Sequence, residues 1–238
     1  MSEKKLSLTA HLIELRIRLI RSFIALGAGV AGSLYFSKEI FSWLQKPLLD
    51  VLPSNSSFIT TNPVEPMIIY LKVSLLAGLF LSSPFIFYQL WRFISPGLFP
   101  GEKKIAFSFV LFSTLFFVGG ALFGYFVIFP IGFQFFVALL VGTDIQLLPH
   151  MREYLGFISK MLLTFGLVFE MPVLLTLLAR MGLVTRDQLK KARRYVIVLS
   201  FLIAGLLTPG PDVFSQLLLA LPLLVGDEFI YSGLVLSE

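Results

Sequence analysis

The stretch Met67–Ile68–Ile69–Tyr70–Leu71–Lys72–Val73–Ser74–Leu75–Leu76–Ala77–Gly78–Leu79–Phe80–Leu81–Ser82–Ser83–Pro84–Phe85–Ile86–Phe87–Tyr88–Gln89–Leu90–Trp91 carries one charge in its whole length. As a helix rising 1.5 Å per residue it is about 37 Å long, enough to cross a hydrocarbon core roughly 30 Å thick with some tilt. Five further apolar runs accompany it: 22–36, 105–129, 154–179, 195–207 and 213–225. The chain is 57% hydrophobic and 14% charged, with mean hydropathy +0.89. A soluble domain carries about 25% charged residues and could not bury this much apolar surface. The sequence therefore predicts an all-α integral membrane protein of six spans, residues 1–238 forming one membrane-embedded domain.

Charge sets the orientation. Lys4, Lys5, Arg16, Arg18 and Arg21 precede the first span, Arg92, Lys103 and Lys104 follow the second, and Arg180, Arg186, Lys190, Lys191, Arg193 and Arg194 follow the fourth. The opposite side holds only Lys38, Lys46 and Arg152. The positive-inside rule places the first set, and with it both termini, in the cytoplasm. The net charge of +5 is explained by this sorting and calls for no nucleic acid. Lys72 and Lys160 sit near outer span ends, where a lysine reaches the interface.

The last two runs are short. Thirteen residues cover about 20 Å, so they either re-enter the membrane or span it where it is thinned. The stretch 37–66, rich in Pro, Ser and Asn, is expected to form a structured outside cap with Pro47 and Pro53. The stretch 131–151 is expected to form an interfacial helix and loop, not a seventh span. Residues 10–19 alternate apolar and polar at helical spacing and read as an interfacial lead-in that turns into span one. Within it, Glu14 and Arg18 lie four apart and can pair.

Several chemistries are excluded. There is no cysteine, hence no disulfide or thiolate site. His11 and His150 both lie outside the apolar runs, so no histidine-ligated metal or haem sits in the core. No nucleophile elbow, zinc-protease helix or phosphate loop is present. The sequence reads as neither an enzyme nor a cofactor protein.

Three polar features stand out. Glu170 lies inside span four, where an ionised carboxylate costs about 2.5–3.5 kcal/mol on insertion scales. It either bonds a neighbouring helix as a structural group or faces a groove or partner helix; Pro172 loosens the backbone beside it. Glu102 closes a loop of two prolines and two glycines, Pro96–Gly97–Leu98–Phe99–Pro100–Gly101, and is either a solvated charge or a carboxylate presented to a guanidinium. Asp212 and Gln216 are four apart at the start of span six and can hydrogen-bond across helices.

Motifs in order give a resemblance: His11–Leu12–Ile13–Glu14–Leu15–Arg16, Ser83–Pro84, Tyr88–Gln89–Leu90–Trp91–Arg92–Phe93–Ile94, Pro96–Gly97–Leu98, Glu102–Lys103–Lys104, Phe123–Gly124–Tyr125–Phe126, Phe129–Pro130, Phe165–Gly166, Phe169–Glu170–Met171–Pro172, Arg193–Arg194–Tyr195, Thr208–Pro209 and Pro211–Asp212–Val213–Phe214–Ser215–Gln216. From about residue 8 to 230 the chain resembles TatC, the large subunit of twin-arginine protein translocases. The resemblance implies a glove-shaped six-span bundle in the bacterial inner membrane. It implies a core receptor that binds twin-arginine signal peptides of folded cargo and works with TatA and TatB single-span subunits, as an oligomer, driven by the proton-motive force. It assigns peptide binding to Glu14, Arg16, Phe93 and Glu102, groove or partner-helix docking to Glu170 and Gln216, and a sensitive cap position to Pro47. The C-terminal stretch 226–238 departs from the family by carrying no Lys or Arg. The alternative from another class is a proton-coupled small-solute transporter using Glu170, which needs an internal repeat that the sequence lacks.

Overall fold

A computed structural model describes residues 8–53, 57–94, 103–143 and 147–180, with 197–198, 201–202, 205, 216–217 and 220 beyond them. Its described regular structure is helical, joined by turns and short loops, with one isolated bridge. The helices are α1 (Leu8–Tyr35), α2 (Ser37–Leu44), α3 (Lys46–Leu49), α4 (Glu65–Ile94), α5 (Lys103–Phe123), α6 (Phe129–Ala138), α7 (Met151–Phe169) and α8 (Met171–Arg180), with a π-helical turn, Gly124–Ile128, between α5 and α6. Among the described residues four stretches are long and apolar enough to cross a membrane: Ala10–Tyr35, Glu65–Ile94, Phe107–Ala138 and Met151–Leu178. Expected spans five and six, 195–207 and 213–225, lie almost wholly outside the described residues.

Three boundaries differ from the sequence reading. The lead-in does not turn before span one: α1 is a single helix from Leu8 to Tyr35. Its apolar side carries on directly from the amphipathic segment, so no residue forces a break. Span three does not stop at Pro130, because the π turn absorbs the proline. The Phe129 N–H donates to the Gly124 carbonyl five residues back, and Pro130 then sits in the first turn of α6, where its missing N–H costs little. The helix expected after residue 131 is thus the end of span three. Span four begins at Met151 and breaks at Glu170, where Pro172 cannot donate to the preceding turn.

Packing follows from small residues. At the α1–α4 crossing, a Cβ added to Gly29 would lie 2.7 Å from the Gly78 carbonyl oxygen, and one added to Gly78 would lie 2.6 Å from the Val30 nitrogen. Lipid gives helices no hydrophobic reason to associate, so this close approach supplies the van der Waals contact that does. The α5–α7 crossing repeats the device, with Gly120 pressed against the Phe165 carbonyl. Pro84 leaves the Phe80 carbonyl without its helical donor, and the Ser83 hydroxyl takes over that role at 2.7 Å.

The expected cap between spans one and two is built from α2, α3 and the following loop. Pro47 is buried in the first turn of α3. The Tyr125 hydroxyl donates to the Trp43 carbonyl at 2.6 Å and the Tyr154 hydroxyl to the Leu44 carbonyl at 2.7 Å, while the Trp43 and Tyr125 rings stack at 3.9 Å. Ile59 pairs with the backbone either side of His150, through the Pro149 carbonyl and the Met151 N–H. Glu65, buried at the start of α4, accepts from the Arg152 N–H at 3.2 Å and from the Thr60 hydroxyl at 2.9 Å. His150 offers α7 no side-chain cap, so Glu65 supplies one from another helix.

Replacing Gly78 with valine should separate α1 from α4 and cost about 1–3 kcal/mol, as overpacking does. Thermal melting in detergent measures it, and an unchanged midpoint would remove the glycine contact as the source of that crossing.

Candidate functional site

Two polar places in the membrane fold hold three of the residues expected to function, Glu14, Phe93 and Glu170. The first lies where α1 begins and α4 ends. Going up α1, residues 11, 14 and 18 share one face. Going down α4, residues 93 and 89 share another. The two faces meet in an antiparallel ladder. The His11 ring stacks on Phe93 at 4.4 Å, with 20° between planes. Two turns further along α1, Arg18 donates from Nη1 to Gln89 Oε1 at 3.3 Å. Glu14 stands between these rungs. Its Oε1 accepts from Arg18 Nη2 at 2.6 Å and from Arg18 Nε at 3.3 Å. This is the pair that the i, i+4 spacing allows.

Glu14 is paired but not covered. Its side chain stays 29% exposed against 13% for Arg18. Among the described residues Oε2 receives no hydrogen bond, so one carboxylate oxygen stays open to a further donor. Gln89 is buried and holds Arg18 across the helix boundary. The fold therefore brings Glu14 and Phe93 into one neighbourhood. Arg16, two residues and about 200° from Glu14, is exposed on the other side of α1. Glu102 and its loop lie outside the described residues.

The second place is the break between α7 and α8. The Glu170 N–H donates to the Gly166 and Leu167 carbonyls at 3.2 Å each, and the Glu170 carbonyl accepts from the Leu174 N–H at 3.0 Å. The side chain is thereby fixed at the kink and directed toward α5, where the Ser113 hydroxyl is its side-chain partner. Glu170 Oε2 is shut off from solvent and has no hydrogen-bond partner among the described residues. Beside it runs a groove of about 390 Å³ between α5 and α8, lined by Ser108, Phe109, Phe112, Phe116, Pro172, Val173 and Thr176. The groove is mostly apolar and suits hydrocarbon or a helix side chain better than a polar solute.

Among the described residues no hydrogen bond joins the two expected docking residues, Glu170 and Gln216. Gln216 donates from Nε2 to the Phe201 carbonyl at 2.7 Å, tying expected span six to span five. Pro47 sits in the cap, at the far end of α1 from Glu14.

Sequence reasoning missed three participants. Ser113 is one of three aliphatic hydroxyl residues in an apolar run, with Ser108 and Thr114, and nothing in one helix shows which of them faces Glu170. Gln89 sits in a motif quoted for its resemblance, but nothing in one helix shows that it faces Arg18 on another. His11 lies outside the apolar runs, and its stacking on Phe93 depends on the helix crossing.

The chain compares closely with known proteins. The family model described as "Sec-independent protein translocase protein (TatC)" matches residues 10–222. A TatC from Desulforapulum autotrophicum is 48% identical, over 97% of this chain and 85% of its own length. That of Escherichia coli (strain K12) is 39% identical, over 91% of this chain and 83% of its own. A crystal structure of the twin-arginine translocase receptor TatC in DDM superposes with a TM-score of 0.84 at 39% identity, over 93% of this chain and 97% of the other.

Replacing Glu170 with alanine should leave folding intact. It removes a buried oxygen without a partner, so stability should stay within about 1 kcal/mol of the parent. Melting in detergent reads this out, and a loss above about 2 kcal/mol would make Glu170 a structural group.

Proposed function

The chain belongs to the TatC family of Sec-independent protein translocase proteins, and from that membership we propose that it is the receptor subunit that binds twin-arginine signal peptides of folded cargo. Membership also makes it a non-enzymatic transport component and a multi-pass membrane protein. The observation that carries the receptor reading is the ladder at the start of α1. There a part-exposed carboxylate with one open oxygen stands beside a stacked aromatic pair. A guanidinium is planar, bonds a carboxylate oxygen through N–H groups in its own plane, and lies flat on aromatic rings. A peptide with two adjacent arginines needs two such acceptors, and Glu102 is the second.

In this reading Glu14, Phe93 and Glu102 contact the peptide, and Arg16, on the outer side of α1, meets lipid headgroups or a neighbouring subunit. Both termini face the cytoplasm across the bacterial inner membrane, which agrees with the sorting of lysine and arginine. Spans five and six complete a curved six-span bundle. The groove by Glu170 and the polar position Gln216 receive single-span partner helices of the TatA and TatB type, and Pro47 keeps the cap rigid. Several copies work together, and the proton-motive force drives transport. The apolar lining of the groove disfavours the small-solute transporter alternative.

A twin-arginine peptide carrying a photoreactive group beside its arginines should crosslink near Glu102 in native membranes. Glu102→Ala should weaken peptide binding about tenfold, the loss of one charge-assisted hydrogen-bonded pair. Binding unchanged in that variant would remove Glu102 from the site.

A further inference from the structure

The Arg18–Glu14 pair differs from an ordinary surface ion pair in one respect. Such pairs are mobile and worth little. This one is anchored across a helix boundary. Two Arg18 nitrogens converge on a single oxygen of Glu14, and a third donates to Gln89, whose side chain is only 3% exposed. The guanidinium is rigid, so fixing Nη1 on α4 fixes the direction in which Nε and Nη2 point. That in turn fixes Glu14 Oε1 and leaves Oε2 open in one orientation. The Arg18 charge also cancels that of Glu14, so a passing cation feels little net attraction and geometry decides what binds.

We propose that Gln89 is a positioning residue for peptide recognition, holding Arg18 so that Glu14 accepts an arginine in preference to a lysine. The proposal rests on the receptor reading above. An arginine fork needs its acceptor held in a defined plane, whereas an ammonium is a point charge that follows a moving carboxylate equally well. Freeing Arg18 should therefore harm arginine binding selectively. This differs from a contact role for Gln89, because its carbonyl is already engaged by Arg18 and its side chain is buried.

The experiment uses the full-length protein in lipid nanodiscs, with a fluorescent signal peptide carrying Arg–Arg and the same peptide carrying Lys–Lys. In Gln89→Leu, affinity for the Arg–Arg peptide should fall about five- to tenfold while the Lys–Lys peptide stays within about twofold. Gln89→Glu keeps an oxygen for Arg18 Nη1 and should retain the arginine preference. Arg18→Lys keeps the charge but loses the fork, and should reproduce Gln89→Leu should the leucine variant melt early. An unaltered Arg–Arg to Lys–Lys ratio in both Gln89→Leu and Arg18→Lys, or equal weakening of both peptides, overturns the positioning role. If the parent protein itself shows no preference, or Glu14→Gln binds as the parent does, the receptor reading of this site fails first and the positioning role falls with it.

Discussion

Hydrocarbon offers no hydrogen bonds, and every polar atom of this chain that lies within it must find a partner in the protein. Three prolines of the described spans, Pro84, Pro130 and Pro172, show how this is met. Pro84 orphans the Phe80 carbonyl, and Ser83 bonds it. Pro130 is absorbed by a π turn that moves the hydrogen bond one residue along. Pro172 breaks the helix outright, and Glu170 uses its own N–H and carbonyl to bridge the break. The demand for satisfied backbone thus shapes the bundle alongside side-chain packing.

The same demand sorts the cross-helix polar contacts toward the ends of the spans. At the cap end, the Tyr125 and Tyr154 hydroxyls tie the π turn and α7 to α2, and the Glu65 carboxylate ties α4 to α7. At the other end, Arg18 ties α1 to α4. Between them the helices meet through glycines and aromatic rings, as at Gly29 with Gly78 and Phe117 with Phe80. Against that background two buried side-chain atoms stand without a partner among the described residues, the Trp91 indole nitrogen at the end of α4 and one carboxyl oxygen of Glu170 beside an apolar groove.

The α1–α4 contact links architecture to recognition. Helix α1 is largely exposed and, among the described elements, leans chiefly on α4. The register set by the glycine crossing in mid-membrane is the register that places His11 on Phe93 and Arg18 on Gln89. A displacement of one turn would move these partners by about 5 Å and dissolve the ladder. The geometry of the proposed receptor site thus depends on close packing some ten residues deeper along α1.

The sequence by itself determined the membrane class, four of the spans and their charge-sorted ends, because hydrophobic length and the distribution of lysine and arginine act locally and need no partner. It also marked Glu14, Phe93 and Glu170, because a charge or a motif beside an apolar run is visible in one dimension. Helix boundaries at Pro130 and Glu170 were not legible, since whether proline ends, bends or is absorbed by a helix depends on what takes up the freed carbonyl. Only the tertiary structure decided that Arg18 reaches Gln89, that Ser113 partners Glu170 and that Glu65 caps α7. Each of these joins residues on different helices, and the distance between helices is fixed by side-chain volume at their crossing, which no stretch of one helix contains.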